Sequence, residues 1–228
     1  MHVGDLGGII GKCEVKTDSL VKIQYCYNSG TVKSSASQAG GICGNCQNSV
    51  EIYYCYNQGN ITGTYFVGGI IGYDQGALQI TYVYNDGAIY ATDEHSGKCS
   101  YSGGIIGCLD SQYQSSSQKV VMRYACNAGK ISAKYQHIAG ICGASIGKSA
   151  RVSLSYVYNS GDVVSETGMS VWGAIVGFAQ YTDISDGYYA SNLNKYVGHN
   201  YSNNNFTCAV KTPLIIPNQL LAVKNYFK

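Results

Sequence analysis

Residues 40–61 read Gly-Gly-Ile-Cys-Gly-Asn-Cys-Gln-Asn-Ser-Val-Glu-Ile-Tyr-Tyr-Cys-Tyr-Asn-Gln-Gly-Asn-Ile. Two blocks in this stretch decide the fold, because both recur along the chain in the same order. The first, a glycine-rich apolar block, appears six times: Gly7–Gly11, Gly40–Gly44, Gly68–Gly72, Gly103–Gly107, Ala139–Gly143 and Gly173–Gly177. The second appears five times, at Tyr25–Gly30, Tyr54–Gly59, Tyr82–Gly87, Tyr124–Gly129 and Tyr156–Gly161, always with Asn two positions before the closing Gly. A degraded sixth copy spans Ile184 to Asn192, with Tyr189 in the place of the asparagine.

Aligning the copies exposes apolar columns. Ile23, Ile52, Ile80, Met122 and Leu154 form one, and the small residues Cys26, Cys55, Val83, Ala125 and Val157 form a second, three positions later. Val32, Ile61, Ile89, Ile131 and Val163 form a third. Constant columns are what a stacked core requires, since each residue rests on its counterpart one coil away. The spacing of three breaks strict strand alternation, so a bend or bulge is expected there. It leaves open which tyrosine column faces the core. Asn and Gly both tolerate left-handed backbone, so Asn-x-Gly is expected to turn the chain. Asn28, Asn57, Asn85, Asn127 and Asn159 are then expected to stack as a ladder.

The period also fits helical, leucine-rich and propeller repeats. No helical apolar stripe recurs, leucine is scarce, and a propeller blade needs more strand than is available. The expected fold is all-β, a parallel β-helix of about six coils with two or three short strands per coil. Crossover chirality favours right-handed coiling, and six coils give a body roughly 29 Å long. Residues 1–192 form the solenoid. Residues 193–228 lack the repeat and are read as a C-terminal cap, with an extended segment at Pro213–Pro217 and a short helix from Asn218 to Phe227.

Composition agrees with a β-rich fold. Among 228 residues there are 29 Gly, 22 Tyr and only 2 Pro, with 45% apolar and 12% charged residues. A formal net charge of +2 without a basic stripe argues against nucleic acid as a partner. No apolar run reaches membrane-spanning length, so no membrane insertion is expected. Met1-His2-Val3-Gly4 does not open a signal peptide, and the start inside a repeat suggests a piece of something longer.

The paired motifs, Gly-Gly-Ile-Ile-Gly with Tyr-Cys-Tyr-Asn-x-Gly-x-Val, resemble the GLUG repeat of bacterial surface and secreted proteins. The resemblance covers about residues 4 to 192. It implies an extracellular, cell-surface solenoid of the kind found in adhesin-like proteins and beside IgA-specific metallopeptidases. It brings no catalytic residues with it, and the zinc signature His-Glu-x-x-His is absent from this sequence.

The remaining candidates for chemistry are few. Cys26, Cys43, Cys55 and Cys142 alternate with Val, Ala or Ile in their columns and read as small buried hydrophobes. Cys43-Gly44-Asn45-Cys46 has the spacing of half a zinc site, but no second pair follows at a zinc-ribbon distance. Cys13, Cys99, Cys108 and Cys208 are placed in loops or the tail, where an exported protein would admit a disulfide. Asp93-Glu94-His95 is the sole acidic cluster. Two insertions, Tyr90–Tyr101 and Cys108–Lys119, flank the strand Gly103–Gly107, and insertions in solenoids often mark the binding face. Tyr90, His95, Tyr101 and Tyr113 are the candidate ligand-binding residues. No threonine column exists, which discounts ice binding. The expected function is a non-enzymatic module acting as adhesin stalk or binding surface, with no cofactor and no metal. Its partners would be a glycan or host surface protein and, end to end, neighbouring domains of a larger chain. The alternative is a carbohydrate-active β-helix enzyme using the 90–119 loops.

Overall fold

The computed structural model describes residues 4–211, apart from 15–18, 36–37, 48, 93–99, 112–118, 135–136, 149, 169–170 and 191; the side chains of 209–211 are likewise outside the description. The chain winds through four parallel sheets of six, seven, eight and five strands. The second coil shows the path: Gln38–Gly40 in the first sheet, Cys43–Cys46 in the second, Val50–Asn57 in the third and Ile61–Gly63 in the fourth. Each strand pairs in parallel with its counterpart in the coils before and after, as in Cys55↔Val83↔Ala125↔Val157. This is the parallel β-helix expected from the columns.

The coil differs from expectation in having four strands rather than two or three. The Gly-Gly-Ile block is a corner between two short strands, not one strand: a Cβ on Gly40 would stand 2.0 Å from the carbonyl oxygen of Cys43. Five coils have all four strands, and the sixth has three: Val171–Gly173, Val176–Gln180 and Thr182–Ala190. Val197–Ser202 and Asn205–Lys211 then add a further parallel layer to the second and third sheets. The segment 213–217 and the helix expected at 218–227 lie outside the described residues.

The asparagine ladder forms as expected. Asn28 Nδ2 donates to Asn57 Oδ1 at 2.7 Å, Asn57 to Asn85 at 2.7 Å, Asn85 to Asn127 at 2.7 Å and Asn127 to Asn159 at 2.8 Å. The second hydrogen of each amide goes to a glycine carbonyl two residues on, as from Asn85 to Gly87 at 2.9 Å. In the sixth coil Tyr189 stands opposite Asn159 and ends the ladder.

The ladder is also why the two motifs travel together. A Cβ on Gly41 would lie 2.5 Å from Asn57 Cγ, and one on Gly104 would lie 2.3 Å from Asn127 Cγ. The glycine corner and the asparagine therefore meet across the interior of their own coil, and only glycine leaves room for the contact. This chord divides the core in two. Ile42, Ile52, Cys55, Ile70 and Val83 belong to a large cluster between the second and third sheets. Ala39, Ile61, Val67, Ile89 and Ile131 form a smaller one between the first and fourth.

One local expectation is overturned. Asn-x-Gly does not carry the left-handed backbone; the tyrosine before each small centre does. Tyr25, Tyr54, Tyr82, Tyr124 and Tyr156 have φ between 52° and 56°, and Asp186 holds the same place in the sixth coil with φ 54°. The left-handed residue resets the alternation, so Ile52 and Cys55, three apart, both face the interior. The closing glycine is needed for close stacking instead. A Cβ on Gly59 would sit 1.9 Å from the Gly30 carbonyl oxygen.

Candidate functional site

The third sheet presents two tyrosine columns on the side away from the main core. The first consists of the left-handed residues. Their rings stack along the solenoid axis, with centroids 5.3 Å apart for Tyr25–Tyr54, 5.0 Å for Tyr54–Tyr82, and 4.9 Å for both Tyr82–Tyr124 and Tyr124–Tyr156. Interplanar angles of 2° to 11° make this a nearly parallel pile. Its end members, Tyr25 and Tyr156, are exposed and the middle ones half-buried. A second column, Tyr56, Tyr84, Cys126 and Tyr158, is buried beneath it as a third apolar cluster. Tyr56 and Tyr84 both donate to Asp86, at 3.3 and 3.4 Å. Burial, reinforced for Tyr84 by the Cys126 thiol and for both by Asp86, pushes these two phenols well above their ordinary range. They are fixed neutral donors.

Beside the pile lies an open pocket of about 290 Å³, lined by Glu51, Ile52, Tyr53, Tyr54, Gln79, Thr81 and Tyr82. Tyr53 meets both Tyr25 and Tyr54 edge-on, at 5.8 and 5.9 Å. Glu51 is held by Lys22 at 3.2 Å. Aromatic rings next to a carboxylate, an amide and a hydroxyl supply both apolar contact and directional hydrogen bonds, the usual make-up of a ligand site.

A second aromatic strip runs along the first two sheets. It links Tyr73 to Phe66 at 4.5 Å, Phe66 to Tyr101 at 5.9 Å, Tyr101 to His137 at 5.4 Å and His137 to Phe178 at 5.3 Å. His199 and Tyr201 extend it. Burial, with a smaller contribution from His199, lowers His137 to about 4, and among the described residues neither ring nitrogen has a hydrogen-bond partner.

Of the candidates read from sequence, Tyr101 belongs to this strip. Tyr90 lies in the fourth sheet between Thr62 and Ser132, and its hydroxyl donates to Glu166 at 3.3 Å. His95 and Tyr113, with the cluster Asp93-Glu94-His95, lie outside the described residues. Sequence reading missed the pile as a surface, although the repeating first tyrosine of the motif was the signal for it.

Cys13 and Cys108 lie on strands rather than in loops, Cys208 lies in the C-terminal segment as expected but on a strand, and none of the three forms a disulfide; Cys99 is outside the described residues. Cys13 faces inward because it stacks on Cys46, an interior position. Cys43, Cys55 and Cys142 are fully buried and Cys26 half-buried. Burial holds the Cys55 thiol at about 12. Cys46 donates to Cys43 at 3.2 Å inside the core. Among the described residues no group of three or more His, Cys, Asp or Glu side chains is placed to hold a metal ion. Asp110 accepts from Tyr73 at 3.0 Å, and Asp183 is bound by Arg151.

No family model matches the chain, and no curated protein matches it in sequence. The likeness to the GLUG repeat rests on the two linked motifs alone.

Proposed function

We propose that this chain is a non-enzymatic repeat module of a bacterial surface or secreted protein, an adhesin-like stalk whose third sheet binds glycan. The observation that carries the reading is the pile of five stacked tyrosines beside the pocket of Glu51, Gln79 and Thr81. Pyranose rings have apolar C–H faces and equatorial hydroxyls, so a pocket that combines tyrosine rings with short polar side chains suits them. The GLUG-like motif pairing supports an extracellular setting, and a rigid stack of coils suits a stalk.

A glycan-array screen tests this with the full chain, Tyr53→Ala, Tyr82→Ala and Tyr101→Ala. The expected outcome is selective binding weakened at least about tenfold by either of the first two changes and unaltered by the third. Absence of binding to any glycan would refute the glycan reading. Loss confined to Tyr101→Ala would move the site to the other aromatic strip.

A further inference from the structure

Cys43 and Cys46 lie three positions apart on one strand, yet both belong to the main core and both are at 0% exposure. Their sulfurs are 3.2 Å apart, closer than plain van der Waals contact between two sulfur atoms. Cys46 donates its thiol hydrogen to Cys43, and Cys43 donates to the Asn45 carbonyl at 3.5 Å. The arrangement is particular to the second coil. In register with the pair stand Ile10 and Cys13 in the first coil, and Ile71 and Asp74 in the third. The Cys43 column holds a cysteine again at Cys142, but there Ser145 takes the place of Cys46. A single cysteine in these columns is a small apolar residue; two at this separation are a dithiol.

A disulfide has an S–S length of about 2.05 Å, so closure needs the sulfurs to approach by about 1 Å, within reach of small side-chain rotations. We propose that Cys43 and Cys46 are a modification site, a dithiol that closes to a disulfide within the second coil as that coil folds. The oxidant is a low-molecular-weight disulfide such as oxidised glutathione. One cysteine, as thiolate, attacks it, forming a mixed disulfide and releasing one glutathione thiol. The thiolate of the other cysteine then attacks the protein sulfur of the mixed disulfide and releases the second. The two cysteines give up two protons and two electrons, and the small disulfide takes up both in becoming two thiols. The exchange belongs to the open coil. In the closed one both sulfurs are shut away from reagents, and the hydrogen bond to Cys43, with burial, pushes the Cys46 thiol well above its ordinary range. The same burial then shields the finished bond from reductants. The inference is independent of the glycan reading.

Refolding the full chain from urea in glutathione redox buffers, followed by alkylation under denaturing conditions, tests it. Cleavage after Lys33 and Glu51 releases residues 34–51, whose only cysteines are Cys43 and Cys46. Mass spectrometry should find this peptide unalkylated and lighter by two hydrogens than the dithiol. In the folded protein dithiothreitol should open the bond at least about tenfold more slowly than in urea. Cys13→Ala puts into the Cys46 column the residue type already present there at Ala179, and it should leave the closed peptide unchanged. Full alkylation of both cysteines at every redox ratio would overturn the inference. So would a bond from Cys46 to Cys13, its counterpart one coil away, or reduction as fast in the folded protein as in urea.

Discussion

Asp74 occupies an interior position shared with Cys46 and Leu109 in the neighbouring coils, and it is fully buried. Neither carboxylate oxygen has a well-formed hydrogen bond, and only the Gly76 backbone lends its charged form some support. Burial raises its pKa well above the ordinary carboxyl range. Well below about pH 4, the ordinary aspartate pKa, the group is protonated in folded and unfolded chains alike and costs nothing. As pH rises toward the folded pKa, the unfolded chain ionises first, and stability falls by roughly 1.4 kcal/mol per pH unit. Asp74→Asn removes this proton linkage. We expect urea denaturation at pH 4, 5.5 and 7 to show a flatter decline for the variant, with a gain of about 1–3 kcal/mol at pH 7. Equal slopes for the two proteins would show that Asp74 ionises without penalty. The ladder asparagines present the opposite case: they are buried polar groups whose amide hydrogens are all used, two per residue in Asn28, Asn57, Asn85 and Asn127. Inside a low-dielectric core such a chain of bonds strengthens itself and fixes register.

At the level of the strand, the third sheet repeats a locally unfavourable conformation in every coil. A left-handed tyrosine costs about 1–2 kcal/mol. A tyrosine in the middle of the pile stacks on two rings, each contact adding roughly 0.5–1.5 kcal/mol beyond area burial. The stacking offsets the backbone cost, and the small inward residue that follows gains its place in the core. Tyr82, half-buried and stacked face to face on both Tyr54 and Tyr124, should therefore matter more than Tyr25, which stacks on Tyr54, meets Tyr53 edge-on and is half exposed. Thermal and chemical unfolding should show Tyr82→Ala destabilised by about 2–3 kcal/mol and Tyr25→Ala by less than half of that. Equal losses at the two positions would mean that burial within the pile does not set its energetics.

Across the whole molecule, coils contact chiefly their neighbours, so stability is distributed along one dimension. Among the described residues the first coil packs on a coil at one side only, and its strands are short: Leu6–Gly7, Ile10–Cys13, Val21–Gln24, Tyr27–Asn28 and Val32–Lys33. It should open locally before the central coils do. Hydrogen exchange read by mass spectrometry should show peptides from residues 19–34 exchanging at least about tenfold faster than those from residues 78–91. Uniform protection from the first coil to the fourth would contradict the one-dimensional picture.

Much of this architecture is legible from residue columns alone. Recurrence of Ile52, Cys55, Asn57 and Ile61 at fixed offsets dictates parallel stacking, because only an in-register stack places like on like in every coil. The ladder of Asn28 to Asn159 follows from the same regularity. Other features depend on contacts that the periodicity does not encode. The left-handed turn passed from Asn-x-Gly to tyrosine because ring stacking between coils stabilises a conformation tyrosine avoids in isolation. Glycine at Gly41 and Gly104 is dictated by an asparagine on the far side of the coil, and the four-strand path by the corner that glycine permits. Which tyrosine column is covered was likewise settled only when neighbouring coils were in place. Sequence by itself determined the stack and its columns, since these need only repetition; tertiary structure decided corners, handed turns and surfaces, since these are set by contacts across and between coils.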